Sequence, residues 1–243
     1  MKKEIKFFDN FISQYDKSCK EIAYKIRHTY KVTNIAQNLA LFLNLDDELT
    51  KKVYLSALFH DLGRFPQWEE YQTFIDSKSF DHGDKSCEIL KNNGICDEII
   101  LKAVKYHNKY ELPKDLTEEE RLVCEIVRDA DKLDILHYKW KLDDKKHKIK
   151  DNIIRCFEKE KLVPNDLVKY PVDGILRQLS FIYDLNFDES KDMVFASDII
   201  DRNIDLVYSS CKDKKVFYIQ DLLDTYLAKE LGVRKYERIR KKI

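Results

Sequence analysis

His60 and Asp61 stand side by side at the end of an apolar, helix-like run, Leu58-Phe59-His60-Asp61-Leu62-Gly63-Arg64. An imidazole beside a carboxylate offers a cation one neutral and one anionic donor, but chance also produces that pair. Its weight comes from His28, His82, His107 and Asp131, which recur before and after it on separate helical patterns. A single inward His on a helix is usually a hydrogen-bonded core residue. Five patterns that each turn a His or a carboxylate inward are costly unless something shared satisfies them, and a metal centre does so. Four imidazoles and two carboxylates suit one or two first-row divalent ions such as Fe, Mn, Zn, Co or Ni. Asp61 has two oxygens and can bridge two ions, whereas His60 binds only one. Two ions held close together can share a hydroxide, lower its pKa and grip both the attacking and the leaving oxygen of a phosphate ester.

The elements that must position these residues are helical. Apolar periodicity predicts a short helix over 4–13, and Ser18-Cys19-Lys20-Glu21 reads as a capping box opening a helix of about 25 residues with His28, Val32, Ile35 and Leu39 in line. Asp46-Asp47-Glu48 marks the next helix start. There Val53, Ala57 and His60 share a face and Tyr54, Leu58 and Asp61 the adjacent one. Gly63 is read as that helix's cap, and Pro66 as a block to its continuation. Segment 65–81 reads as an irregular aromatic stretch, a surface loop or a wall over the site. His82 opens a helix that Asn92-Asn93-Gly94 ends, and Asp97 caps one carrying Ile100, Val104 and His107. Thr117 and Glu120 form a second capping box, starting a helix to about 140 on which Val127, Asp131 and Ile135 are successive neighbours. Residues 141–148 are charged and read as an exposed loop. Helices follow near 149–160, 172–185, 189–209 and 216–231.

With 243 residues, the chain can bury a substantial core, and a single domain over 1–243 is expected, with the motifs in about 20–140 and the helices of 149–243 completing one bundle. Lys plus Arg and Asp plus Glu each number 44, so no global charge favours nucleic acid. Five Gly and four Pro are too few for many tight turns and favour an all-α fold. The six Cys form no CxxC pair and read as reduced core thiols. MKKEIKFFDNF lacks an apolar signal core, and no apolar run approaches a membrane span, so a soluble cytoplasmic protein is expected. The basic end, RKYERIRKKI, reads as a solvated helix end, and no strong nucleic-acid signal accompanies it.

The order of these residues resembles the HD superfamily of metal-dependent phosphohydrolases. Its pattern H…HD…D stands here as His28…His60-Asp61…Asp131, within the phrases LFHDLGRF and RDADKLD. The dinuclear branch of that superfamily adds two His, and His82 in DHGDKSCEIL and His107 in VKYHN stand in the right order. The resemblance covers about 20–140. It implies one ion on His28, His60, Asp61 and Asp131 and a second on Asp61, His82 and His107, Fe or Mn foremost, with a bridging hydroxide attacking phosphorus in line. Asp61 would then be catalytic. Arg64 and Lys132 stand where a cation can hold a phosphate oxygen or brace the ligands. Asp134 and Asp84 read as a solvated charge and a helix-start charge, and His137 and His147 as structural or surface groups.

The expected activity is hydrolysis of a phosphomonoester or phosphodiester, a small phosphorylated substrate that includes the nucleotides. Two alternatives remain open at this level. Some proteins with the same ligand set resemble di-iron oxygenases that cleave C–P or C–C bonds, and a non-catalytic nucleotide-binding module is a third class. Hydrolysis is the commoner activity that the resemblance implies.

Overall fold

The computed structural model describes residues 1–142 and 147–233. Twelve α-helices and no strands are found among the described residues, so the chain is all-α. It divides into two compact units, Met1–Asp134 and Ile135–Ile243. The first holds α1 (Lys2–Ile12), α2 (Lys20–Phe42), α3 (Asp47–Phe59), α4 (Arg64–Tyr71), α5 (His82–Asn92), α6 (Glu98–Tyr106) and nearly all of α7 (Glu118–Ile135). The second holds α8 (Asp151–Glu158), α9 (Pro171–Ser180), α10 (Asp188–Phe195), α11 (Ile199–Cys211) and α12 (Lys215–Glu230). The charged residues 143–146 and the basic end 234–243 lie outside the described residues. No helix among the described residues is long and apolar enough to cross a membrane.

The first unit is built on α2 lying along α3, with α6 against α3 and α5 against α6. Phe8, Ile22, Leu58, Phe59, Phe65, Leu90 and Val104 form its apolar core. Burying these side chains supplies the main drive for folding, at about 1.5–3 kcal/mol for each fully buried large one. On α2 the buried stripe runs His28, Val32, Ala36, Leu39, so an imidazole occupies a position that periodicity assigns to the core. Ile35, expected on that stripe, is only half-buried.

Several helix starts follow local chemistry. Asp46 accepts the N–H of Leu49 at 2.8 Å, Asp81 that of Asp84 at 3.0 Å and Asp97 that of Ile100 at 3.1 Å. The Thr117–Glu120 capping box forms in both directions: Thr117 N–H donates to Glu120 Oε2 at 2.9 Å, and Glu120 N–H donates to Thr117 Oγ1 at 3.3 Å. The box expected at Ser18 does not form. Cys19 is the N-cap of α2, and Ser18 turns its hydroxyl and its N–H to Asp16 instead.

Other expectations are corrected. Gly63 is not a left-handed cap, because its φ is −65°. The chain leaves α3 through a tight turn, and Pro66 sits in the first turn of α4, where a missing N–H costs nothing. Segment 65–81 is therefore partly regular: α4 comes first and a 3-10 turn follows at Asp76–Lys78. The helix expected to reach 140 ends at Ile135. The Leu136 carbonyl just beyond it accepts from Gln178 at 2.7 Å and from Asn203 at 3.3 Å. The pattern over 189–209 is two helices, because the Ser197 hydroxyl donates to the Val194 carbonyl at 2.8 Å and accepts from Ile199 N–H at 3.3 Å, competing with the helical ladder. The six Cys are free, but only Cys87, Cys124 and Cys211 are buried, and Cys96 is exposed.

Asp81 shows how the first unit holds α5. Besides capping the helix, its carboxylate meets the Lys109 ammonium and the Asn108 amide, and these contacts outweigh burial to lower its pKa below the usual 3.8. A lowered carboxylate stabilises the fold fully above its unfolded pKa and loses that contribution as pH falls through the folded value. We expect Asp81→Ala, unfolded in urea with a chelator present, to lose about 1–2 kcal/mol at neutral pH. The gap to the wild type should shrink below about pH 4, and a gap independent of pH would rule out the ionised cap.

Candidate metal centre

Helix ends carry most of the candidate donors. His28 projects from the middle of α2. His60 caps the C-terminus of α3, and Asp61 follows in the turn to α4. His82 is the first residue of α5, His107 caps α6, and Asp131 lies in the last turns of α7. The structure brings all six together. His28, His60 and Asp131 offer donor atoms within 4.8 Å of one another, and so do His60, Asp61 and His107. His82 joins the second group, with Nε2 3.0 Å from His107 Nε2 and 3.4 Å from Asp61 Oδ1.

Glycine and serine make this approach possible. A Cβ on Gly63 would collide with the His82 carbonyl oxygen, and one on Gly83 would lie 2.8 Å from the Lys105 carbonyl oxygen. These two positions let the α3–α4 corner, α5 and α6 close on each other. The buried Ser86 hydroxyl accepts from Gly63 N–H at 2.8 Å and lies 2.9 and 2.8 Å from the carbonyl oxygens of His60 and His82. It links the two chain segments that carry those imidazoles.

The proton on each ring is placed by its outer neighbour. His60 Nδ1 lies 2.7 Å from the Ala57 carbonyl, and His107 Nδ1 lies 2.7 Å from the Val104 carbonyl. A carbonyl only accepts, so Nδ1 carries the hydrogen and Nε2 keeps its lone pair. His28 Nδ1 donates to Asp134 Oδ2 and His82 Nδ1 to Asp76 Oδ2, both at 2.7 Å. All four Nε2 atoms then face inward.

Asp61 lies between them, with its side chain only 3% exposed. Its Oδ2 is 3.5 Å from His28 Nε2 and 3.4 Å from His60 Nε2. Its Oδ1 is 3.4 Å from His82 Nε2 and 3.7 Å from His107 Nε2. Asp131 Oδ1 adds a second carboxylate beside the first pair, 3.0 Å from His28 Nε2 and 3.8 Å from His60 Nε2.

Lone pairs and carboxylate oxygens packed this closely repel unless positive charge enters the cluster. The protein supplies some of its own. Burial and Lys25 oppose a charge on His28, yet Asp131, Asp134 and Asp61 push its pKa up to about 10. Burial raises the Asp61 carboxyl, but Lys25 and then His60 bring it well below the usual carboxylate range. Asp131 is lowered as well, with His28 prevailing over burial. Burial, aided by Arg64, holds His82 down at about 3, and burial also lowers His107. The His82–His107 pair is thus neutral and ready to donate electron pairs. The donor set fits hard-to-borderline divalent cations.

Three contributors were missed or misread in the sequence. Lys25, one turn before His28, places Nζ 2.6 Å from Asp61 Oδ2. Its i, i+3 spacing to His28 was the available signal. Asp134, expected to be solvated, is buried against His28. Asp76 orients His82 from within the segment read as irregular, and no local pattern singles it out. Arg64 Nη1 donates to Asp76 Oδ1 at 2.7 Å, to the Phe74 carbonyl at 2.6 Å and to Gln67 Oε1 at 2.6 Å, so it braces Asp76. Lys132 is buried on α7. Asp84 sits in the first turn of α5, near Lys105 and Lys109, as a helix-start charge. In the second unit, His137 is exposed and His147 stacks on Tyr170 at 3.7 Å.

These outer carboxylates generate a selective expectation. Asp76→Asn should weaken binding of an ion at the His82–His107 pair by about 10–100-fold and leave the His28 side intact, whereas Asp134→Asn should do the reverse. Manganese titrations followed by calorimetry distinguish the two variants, and equal effects on every bound ion would contradict the separate roles.

Comparison with curated proteins gave no match, and comparison with solved structures gave none. The family model described as HD domain matches residues 26–136, a stretch that contains all six donors. Helices with no strands, a doublet His60-Asp61 at a helix end, and His28 and Asp131 converging on it from other helices all agree with that match. Over residues 26–136, somewhat less than half of its length, this chain is thus similar to the HD domain.

Proposed function

We propose that the chain is a metal-dependent hydrolase of phosphate esters, acting on a phosphomonoester or phosphodiester, nucleotides included, with two divalent ions. The observation that carries this reading is the division of Asp61: one oxygen faces the His28–His60 pair and the other faces the His82–His107 pair. A carboxylate placed this way is suited to bridging two cations. His28, His60, Asp61 and Asp131 would hold one ion, and Asp61, His82 and His107 the other, with Fe or Mn the best-suited metals. When bound, such a pair polarises phosphoryl oxygens and lowers the pKa of water towards neutrality.

The protein's own groups do the rest. Asp134 and Asp76 keep hydrogens on the outer nitrogens of His28 and His82, so that the inner nitrogens point to the centre. The Ala57 and Val104 carbonyls do the same for His60 and His107. Arg64 holds Asp76 through Nη1, and its Nε lies 3.6 Å from Asp61 Oδ1. The buried Phe65 and Leu62 fix the turn carrying Asp61, which limits its freedom to reorient.

The decisive experiment pairs metal content by plasma mass spectrometry with phosphate release from p-nitrophenyl phosphate and bis(p-nitrophenyl) phosphate. The wild type should carry about two ions per chain and hydrolyse at least one ester. Asp61→Ala should lose both ions and the activity, while His82→Ala should keep about one ion. Full metal content and activity in Asp61→Ala would refute the shared carboxylate. Oxygen uptake by an iron-loaded protein, with no phosphate released, would replace hydrolysis by oxygenation.

A further inference from the structure

A phosphate ester brings negative charge to this centre, and the side chain that receives it is open to assignment. Arg64 turns Nη1 to Asp76, Gln67 and the Phe74 carbonyl, and its Nε lies 3.6 Å from Asp61 Oδ1. Lys132 directly follows Asp131 on α7 and is buried. Lys25 differs from both. It lies on the His28 face of α2, and its side chain is 11% exposed, so it reaches both the buried cluster and solvent. Its Nζ makes one hydrogen bond to a described residue, to Asp61 Oδ2 at 2.6 Å. An ammonium has three N–H donors, so donors remain for a ligand. The Phe74 ring centroid lies 5.4 Å from Nζ and that of Tyr24 5.9 Å, flanking the charge with aromatic faces.

We propose that Lys25 is the substrate-binding cation of this site, donating to the phosphoryl oxygens of the phosphate ester. The inference rests on the phosphohydrolase reading above. The oxygen that Lys25 now touches is the one facing His28 and His60. A divalent ion held by His28, His60 and Asp61 would weaken that oxygen's hold on the ammonium, and an incoming phosphate would then be the stronger acceptor. The unbranched stem of Lys allows the small movement required, and a compact ammonium suits phosphate as a point charge. The aromatic flanks confine that movement to the rim of the cluster.

The test uses the full chain loaded with manganese, the Lys25→Met and Lys25→Arg variants, and inorganic phosphate as the probe. Calorimetry reads phosphate affinity, mass spectrometry reads metal content, and p-nitrophenyl phosphate turnover separates KM from kcat. Lys25→Met should keep the wild-type metal content and bind phosphate about 10–100-fold more weakly, with KM rising in parallel. Lys25→Arg should recover part of the affinity. Unchanged phosphate affinity in Lys25→Met would overturn the assignment. Loss of metal in that variant would also overturn it, because Lys25 would then be shaping the metal centre. The wild type reports separately on the parent reading: if it neither binds phosphate nor hydrolyses an ester, the phosphohydrolase reading itself fails, whereas wild-type turnover with an indifferent Lys25→Met removes Lys25 alone.

Discussion

The first unit depends on keeping a buried carboxylate ionised. Asp61 is enclosed by four imidazoles, and burial opposes its charge. What keeps it charged is the positive side of the cluster: Lys25 at 2.6 Å, with the nearby imidazoles adding to it. A carboxylate in this position is a poor structural element and a strong ligand. Apolar residues would fill the same volume at lower cost. Its presence at the crossing of α2, α3, α5 and α6 is therefore explained by binding chemistry.

The four imidazoles solve one problem in two ways. Each needs an acceptor for its outer N–H. His60 and His107 lie at helix C-termini, where the carbonyls of the last turn lack helical partners, and each takes one of them. His28 lies mid-helix, where carbonyls are already used, and His82 lies at a helix N-terminus, where only N–H groups are unpaired. Neither position offers a free carbonyl, and there the acceptors are the carboxylates Asp134 and Asp76. A carboxylate makes the ring a stronger donor to a cation than a carbonyl does. Each of the two imidazole pairs facing Asp61 therefore contains one ring of each kind.

Arg64 and Asp76 extend this logic beyond the imidazoles. Gln67, fully buried on α4, donates to Asp76 Oδ1 at 3.0 Å and to Ser79 Oγ at 2.7 Å. Together with Arg64 it pins the segment after α4 against the helix, which places Asp76 beside His82. Part of what resembles an irregular loop is thus a support for one imidazole, and its rigidity comes from polar contacts more than from apolar packing.

The sequence by itself determined the helical class, most helix starts and the donor set. Those features depend on local chemistry: apolar periodicity, caps such as Asp46, Asp97 and Thr117–Glu120, and a His-Asp doublet at a helix end. It did not determine how α3 ends, because Gly63 serves a close approach to α5 and not a left-handed turn. It misjudged Asp134 for the same reason, since a carboxylate one turn from Asp131 reads as solvated until α2 is seen beside it. Only the tertiary structure decided which oxygen of Asp61 meets which imidazoles, that Lys25 reaches Asp61 across 36 positions of sequence, and that Arg64 turns to Asp76. Hydrogen bonds and ion pairs form between groups brought within about 3 Å, and that proximity is created by helices packing on one another, which no pattern along the chain records.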